Sequence, residues 1–145
     1  MANIVPDSFK TDLLGGVFDF DSGGSTFKLA LYTSLGGFST STTAYTTTNE
    51  VSSAGSSNYV RKVLGSQAVV AATATTSVDF ADVTWSSATF TAAFAAIYNT
   101  DTVDGTANRL VVVLDFLGNK TATNGTFTIT FPDPATPANA IISMS

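Results

Sequence analysis

The sequence predicts an all-β fold, an antiparallel, jelly-roll-like β-sandwich with one short N-terminal helix. Three observations carry this expectation. Phe127, Ile129 and Phe131 alternate with Thr126, Thr128 and Thr130, the period-two pattern of a half-buried strand, between Asn124-Gly125 and Pro132. Roughly eight to ten short strand candidates follow one another with turn residues between them, which favours a sandwich or barrel over βαβ units. Ser and Thr make up about 28% of the 145-residue chain while charged residues make up only 12%, and hydroxyls on β-branched Thr suit a pleated strand and can bond across it.

Taken in order, residues 6–14 read as the one helix. Pro6 with Asp7 or Ser8 gives a start signal, Phe9, Leu13 and Leu14 form an apolar stripe, and Gly15-Gly16 stop it. Residues 1–25 are expected to be an N-terminal arm carrying this helix, and residues 26–145 a single sandwich domain. Phe27, Leu29 and Leu31 alternate with Lys28, Ala30 and Tyr32, predicting a strand with one buried face. Further strands are expected over 59–64, 67–73, 77–80, 83–85, 89–94, 96–99, 109–116 and 140–144. Asn124-Gly125 is expected to be a turn. The candidate core is Phe27, Leu29, Leu31, Val83, Trp85, Phe127, Ile129 and Phe131. Trp85 alternates with Val83, which favours the core over an exposed stacking position.

The stretch 34–57 stands apart. It holds Gly36-Gly37, a dense Ser/Thr tract and few large apolar groups. Loops of this length inside one domain are uncommon and often functional. It reads as an extended arm with Phe38 and Tyr45 as anchors.

Composition excludes much chemistry. With no Cys and no His, disulfides, thiolate sites, Ser-His triads and the commonest general base are all absent. The six basic residues, Lys10, Lys28, Arg61, Lys62, Arg109 and Lys120, against a formal net charge of −5, do not form a phosphate-neutralising face, so neither nucleic acid nor an anionic membrane is an expected partner. No apolar run approaches the ~20 residues that span a bilayer. The first residues lack the basic and apolar segments of a secretory signal, so synthesis in a cytoplasm is expected. Paired aspartates (Asp19 with Asp21, Asp79 with Asp82, Asp101 with Asp104) invite a test for glycoside hydrolysis or Ca²⁺ binding. Their neighbours Ser22-Gly23-Gly24 and Gly105 make turn capping the better reading. No catalytic residue, cofactor or metal site is predicted.

Several segments in a consistent order resemble a family of small tailed-phage structural proteins. They are Phe27-Lys28-Leu29-Ala30-Leu31-Tyr32-Thr33-Ser34, Thr43-Ala44-Tyr45-Thr46-Thr47-Thr48-Asn49-Glu50-Val51, residues 80–85, Ala96-Ile97-Tyr98-Asn99, Val113-Leu114-Asp115-Phe116, and residues 124–132. The resemblance implies a virion protein similar to the cement or decoration proteins that lie on the outside of phage heads over joints between major capsid protein subunits. It implies a dimer or trimer; the missing catalytic constellations make an enzymatic activity unexpected. On that basis the expected contact residues are Ile4, Val5, Phe9, Leu13, Leu14, Phe38 and Tyr45. Two other roles remain open at this point: a receptor- or glycan-binding module of a fibre, using Trp85 or Tyr59 on a surface, and a tail or neck adaptor.

Overall fold

The computed structural model describes residues 3–72, 74–133, 136 and 140–144. The elements are α1 (Asp7–Leu14), β1 (Phe27–Tyr32), β2 (Lys62–Val63), β3 (Ala68–Ala72), β4 (Thr75–Asp79), β5 (Val83–Asn99), β6 (Arg109–Ile129) and β7 (Ile142–Met144). They form two antiparallel sheets, one of order β2-β1-β5-β6 and a smaller one of order β3-β4-β7. The chain is an all-β sandwich with one short helix.

Pro6 precedes the helix as its N-cap with an extended backbone, and Asp7 opens the first turn, where a negative charge suits the helix dipole. It ends as the sequence suggests. Gly16 turns left-handed at φ 73°, and the N–H groups of Gly15, Gly16 and Val17 cap the carbonyls of Thr11, Leu13 and Asp12. Its buried residue, Phe9, packs on Phe18 and Phe20, and Phe20 stacks on Phe27 of β1 with ring centroids 4.6 Å apart. Arg109 at the start of β6 holds Asp12 at 2.9 Å. Residues 1–25 therefore contribute Phe9, Phe18 and Phe20 to the same core as the strands.

The strand count differs from expectation for a physical reason. The three strands expected over 83–85, 89–94 and 96–99 are one strand of 17 residues, and those expected over 109–116 and 127–131 belong largely to one of 21. The turn residues between them are absorbed as irregularities in a continuous ladder. Ser87 (φ 51°) sits where the register slips between Trp85 and Ala88, and Asn124 (φ 46°) where it slips opposite Thr89. Asn124-Gly125 is thus a bulge, not a turn; the left-handed residue that a hairpin would need bends the strand instead. The real turn joining β5 to β6 lies at Asp104-Gly105, both with positive φ, closed by mutual bonds between Val103 and Thr106. The expected strand over 59–64 shrinks to Lys62–Val63.

The predicted core residues lie inside: Phe27, Leu29 and Leu31 are fully buried, and Val83, Trp85, Phe127, Ile129 and Phe131 are at most 9% exposed. β1, however, is buried on both faces. Leu29 and Leu31 face the main core, while Ala30 and Tyr32 face a second cluster with Phe38, Ala96, Tyr98, Leu110 and Val113. The second face is covered because residues 34–57 fold back over it. On the outer face of β5 and β6, Thr84 meets Thr128 at 3.1 Å and Thr91 meets Thr121 at 2.8 Å, the cross-strand hydroxyl pairs that the Thr content suggests.

Candidate functional site

The 34–57 stretch is not an extended arm. Its residues 49–51 bond to the end of β1 (Thr33 N–H to the Asn49 carbonyl, Val51 N–H to the Leu31 carbonyl), and residues 43–45 bond to the start of β6 through Leu110 and Asn108. Phe38, 4% exposed, is set edge-on against Tyr32 at 5.0 Å. The side chain with most to gain from such docking is Glu50, the only glutamate in the chain.

Glu50 gathers most of the polar groups around it. Its Oε1 accepts from the Tyr59 hydroxyl at 2.7 Å and Arg61 Nε at 2.8 Å; its Oε2 accepts from the Tyr45 hydroxyl at 2.6 Å and Arg61 Nη2 at 2.9 Å. The Tyr59 hydroxyl in turn accepts from the Leu31 N–H at 3.0 Å. Tyr45 stacks on Tyr98 at 4.4 Å, and the Arg61 guanidinium lies 4.9 Å over the Tyr45 ring. The carboxylate is 9% exposed and the guanidinium side chain 42%.

Burial works against the Glu50 charge, but hydrogen bonds from Arg61, Tyr45 and Tyr59 outweigh it and hold the carboxyl below its ordinary range. Burial also pushes the hydroxyls of Tyr32, Tyr45, Tyr59 and Tyr98 upward, and the nearby Glu50 charge adds to it. Because the native tyrosines keep their protons where unfolded ones lose them, their contribution is intact below the unfolded value of about 10 and falls as pH rises above it. Tyrosinate absorbance is therefore expected to appear in one step together with loss of the near-ultraviolet circular dichroism. A gradual rise near pH 10 on an intact spectrum would contradict this packing.

A second surface is apolar. Val5, Phe9, Leu13, Leu14, Ile142 and Met144 line a groove of about 380 Å³ between α1 and β7, with Lys10 as its only charged residue among the described residues. Leu14 is 88% and Met144 56% exposed. Of the expected contact residues, Leu14 is open, Val5 and Leu13 are half-buried beside it, and Ile4 is half-buried and doubly bonded to Val113. Phe9 and Phe38 are corrected: both are enclosed by their own chain and offer a partner almost no surface. Tyr45 is committed to Glu50 and Tyr98.

Trp85 and Tyr59 are buried, so the glycan-stacking role considered for them has no exposed ring to use. Three of these aspartates accept backbone N–H groups: Asp19 that of Asp21 within its own turn, and Asp82 and Asp101 those of Phe131 and Thr26 across the fold. Among the described residues no group of three acidic side chains is arranged to hold a metal ion. The Glu50 cluster escapes sequence reasoning because its members are spread over positions 45–98; the one signal was a lone glutamate in a Thr-rich, Tyr-containing tract.

Comparison with protein-family models, with curated proteins and with solved structures found no match.

Proposed function

We propose that this chain is a non-enzymatic cement protein of a tailed-phage head, bound to the capsid exterior over joints between major capsid protein subunits. The observation that carries the reading is the apolar groove of α1 and β7, which leaves Leu14 and Met144 open to solvent beside half-buried Val5, Leu13 and Ile142. Exposed apolar surface of this kind marks contact sites, and charge depletion is typical of interface centres. The sequence resemblance to decoration proteins supports the same reading, and a closed dimer or trimer suits the symmetry of such a shell. Each contact is modest; many copies on one head supply the avidity.

The test is electron cryo-microscopy of the particle together with decoration of bare heads by the purified protein. Many copies over capsomer joints are expected, and a handful at the tail or one vertex would overturn the reading. Removing residues 1–16 would strip Phe9 from the core, so the variant to use is Leu14→Asp. At so exposed a site its effect on stability is expected within about 1 kcal/mol, mostly from the negative charge at the helix C-terminus. Its occupancy on heads should drop at least tenfold. Full occupancy by Leu14→Asp would exclude the groove as the contact.

A further inference from the structure

We infer that the cleft beside Arg61 is a binding site for an acidic sugar, with the carboxylate on Arg61 and Lys28 and the sugar hydroxyls on Thr47, Ser52 and Ser53. The cleft measures about 620 Å³ and is lined by these five residues together with Glu50 and its neighbours.

Arg61 is held ready. Glu50 takes the side-on fork of the guanidinium, Nε and Nη2, and the Tyr45 ring supports its face. The end-on fork, Nη1 with the second Nη2 hydrogen, has no bond to any described residue, and the side chain is 42% exposed. A guanidinium fixed on one edge and free on the other matches a planar carboxylate at little further cost in side-chain entropy. Glu50 does not compete for ligand, because its two oxygens already accept four hydrogen bonds. Arg61 is balanced by Glu50, so half-buried Lys28, which forms no ion pair with a described residue, leaves the cleft one unit positive on a chain whose net charge is −5.

That single unit selects the ligand class. A phosphate would bring close to two negative charges against one. A neutral sugar offers the free fork of Arg61 only hydroxyl oxygens, without the planar anion that takes both of its hydrogens in charge-assisted bonds. The acidic side chain of a peptide would use the fork and leave the three hydroxyl residues idle. A uronic acid uses both parts.

Affinity electrophoresis through gels containing polygalacturonate, polyglutamate or neutral dextran tests the assignment on the intact protein. Retardation is expected in polygalacturonate alone. The acidic chain is repelled by polyanions in general, so non-specific retention is not a source of it. Lys28→Ala should weaken retardation about tenfold, the scale of one charge-assisted contact. Arg61→Lys, which keeps the charge and loses the fork, should weaken it at least as much. Its unfolding midpoint is measured in parallel, and Lys28→Ala carries the test if that variant is unstable. Lys120→Ala should leave it unchanged. Equal mobility in polygalacturonate and dextran would overturn the site, as would retardation unaffected by Lys28→Ala. Equal retardation in polyglutamate would overturn the sugar in favour of an acidic peptide. None of these outcomes depends on whether the chain decorates a phage head.

Discussion

Trp85→Ala should lower the unfolding free energy by about 3–5 kcal/mol, the range for truncating a fully buried large aromatic ring. The ring is 1% exposed and lies 5.9 Å from Phe127, 6.1 Å from Phe90 and 6.4 Å from Tyr59, so alanine leaves a cavity bounded largely by other buried rings. It also removes the indole N–H that donates to the Val60 carbonyl at 2.7 Å, leaving that acceptor without its bond. Domains of this size are stable by only about 5–15 kcal/mol, so the loss is a large fraction of the whole. Urea denaturation followed by circular dichroism measures it. Trp85→Phe refills part of the volume but not the hydrogen bond, and should fall between the two. A cost below about 1 kcal/mol for Trp85→Ala would mean the ring is not packed as described.

Glu50→Ala should cost about 3 kcal/mol, near the lower end for breaking a buried ion pair because Arg61 keeps access to water. The Tyr45 and Tyr59 hydroxyls each lose their acceptor, and Arg61 loses the partner that holds it over Tyr45. The damage should be local first. Residues 34–57 are tied to the sheet at Asn49, Val51 and Tyr45, on either side of Glu50, so protease cleavage is expected there before global unfolding. The pH dependence follows from the sign of the shift. With a native carboxyl held below its ordinary value, Glu50 stabilises the fold fully above the unfolded value of about 4.3, and the contribution fades as pH falls through the native value. Glu50→Gln should therefore be less stable than wild type at neutral pH and show a flatter acid limb. Parallel acid limbs would show that Glu50 carries no native-state charge interaction.

Much of the fold was legible because period-two patterning is a local property. The Phe/Thr alternation of 126–131, the apolar alternation of β1 and the Gly15-Gly16 stop depend only on which side chains share a face or which backbone turns left-handed. Strand continuity was not legible. Ser86-Ser87 and Asn124-Gly125 carry the same turn chemistry whether they end a strand or bulge it, and pairing with the facing strand decides between them. The double burial of β1 was not legible either, since Tyr32 alternating with Leu31 looks like a strand with one wet face until residues 34–57 cover it.

By itself, then, the sequence determined an all-β chain without His or Cys, with an N-terminal helix and an aromatic core centred on Phe27, Trp85 and Phe127. Only the tertiary structure decided that the Thr-rich stretch is docked, that Leu14 is open while Phe9 and Phe38 are closed, and that Glu50 meets Arg61 and two tyrosine hydroxyls. The physical reason is range. Periodicity is set by neighbours along the chain. The Glu50 cluster depends on Coulombic and hydrogen-bonding partners up to 11 residues away in sequence, held where a loop closes on a sheet, and Leu31 and Tyr98 complete it from strands farther still.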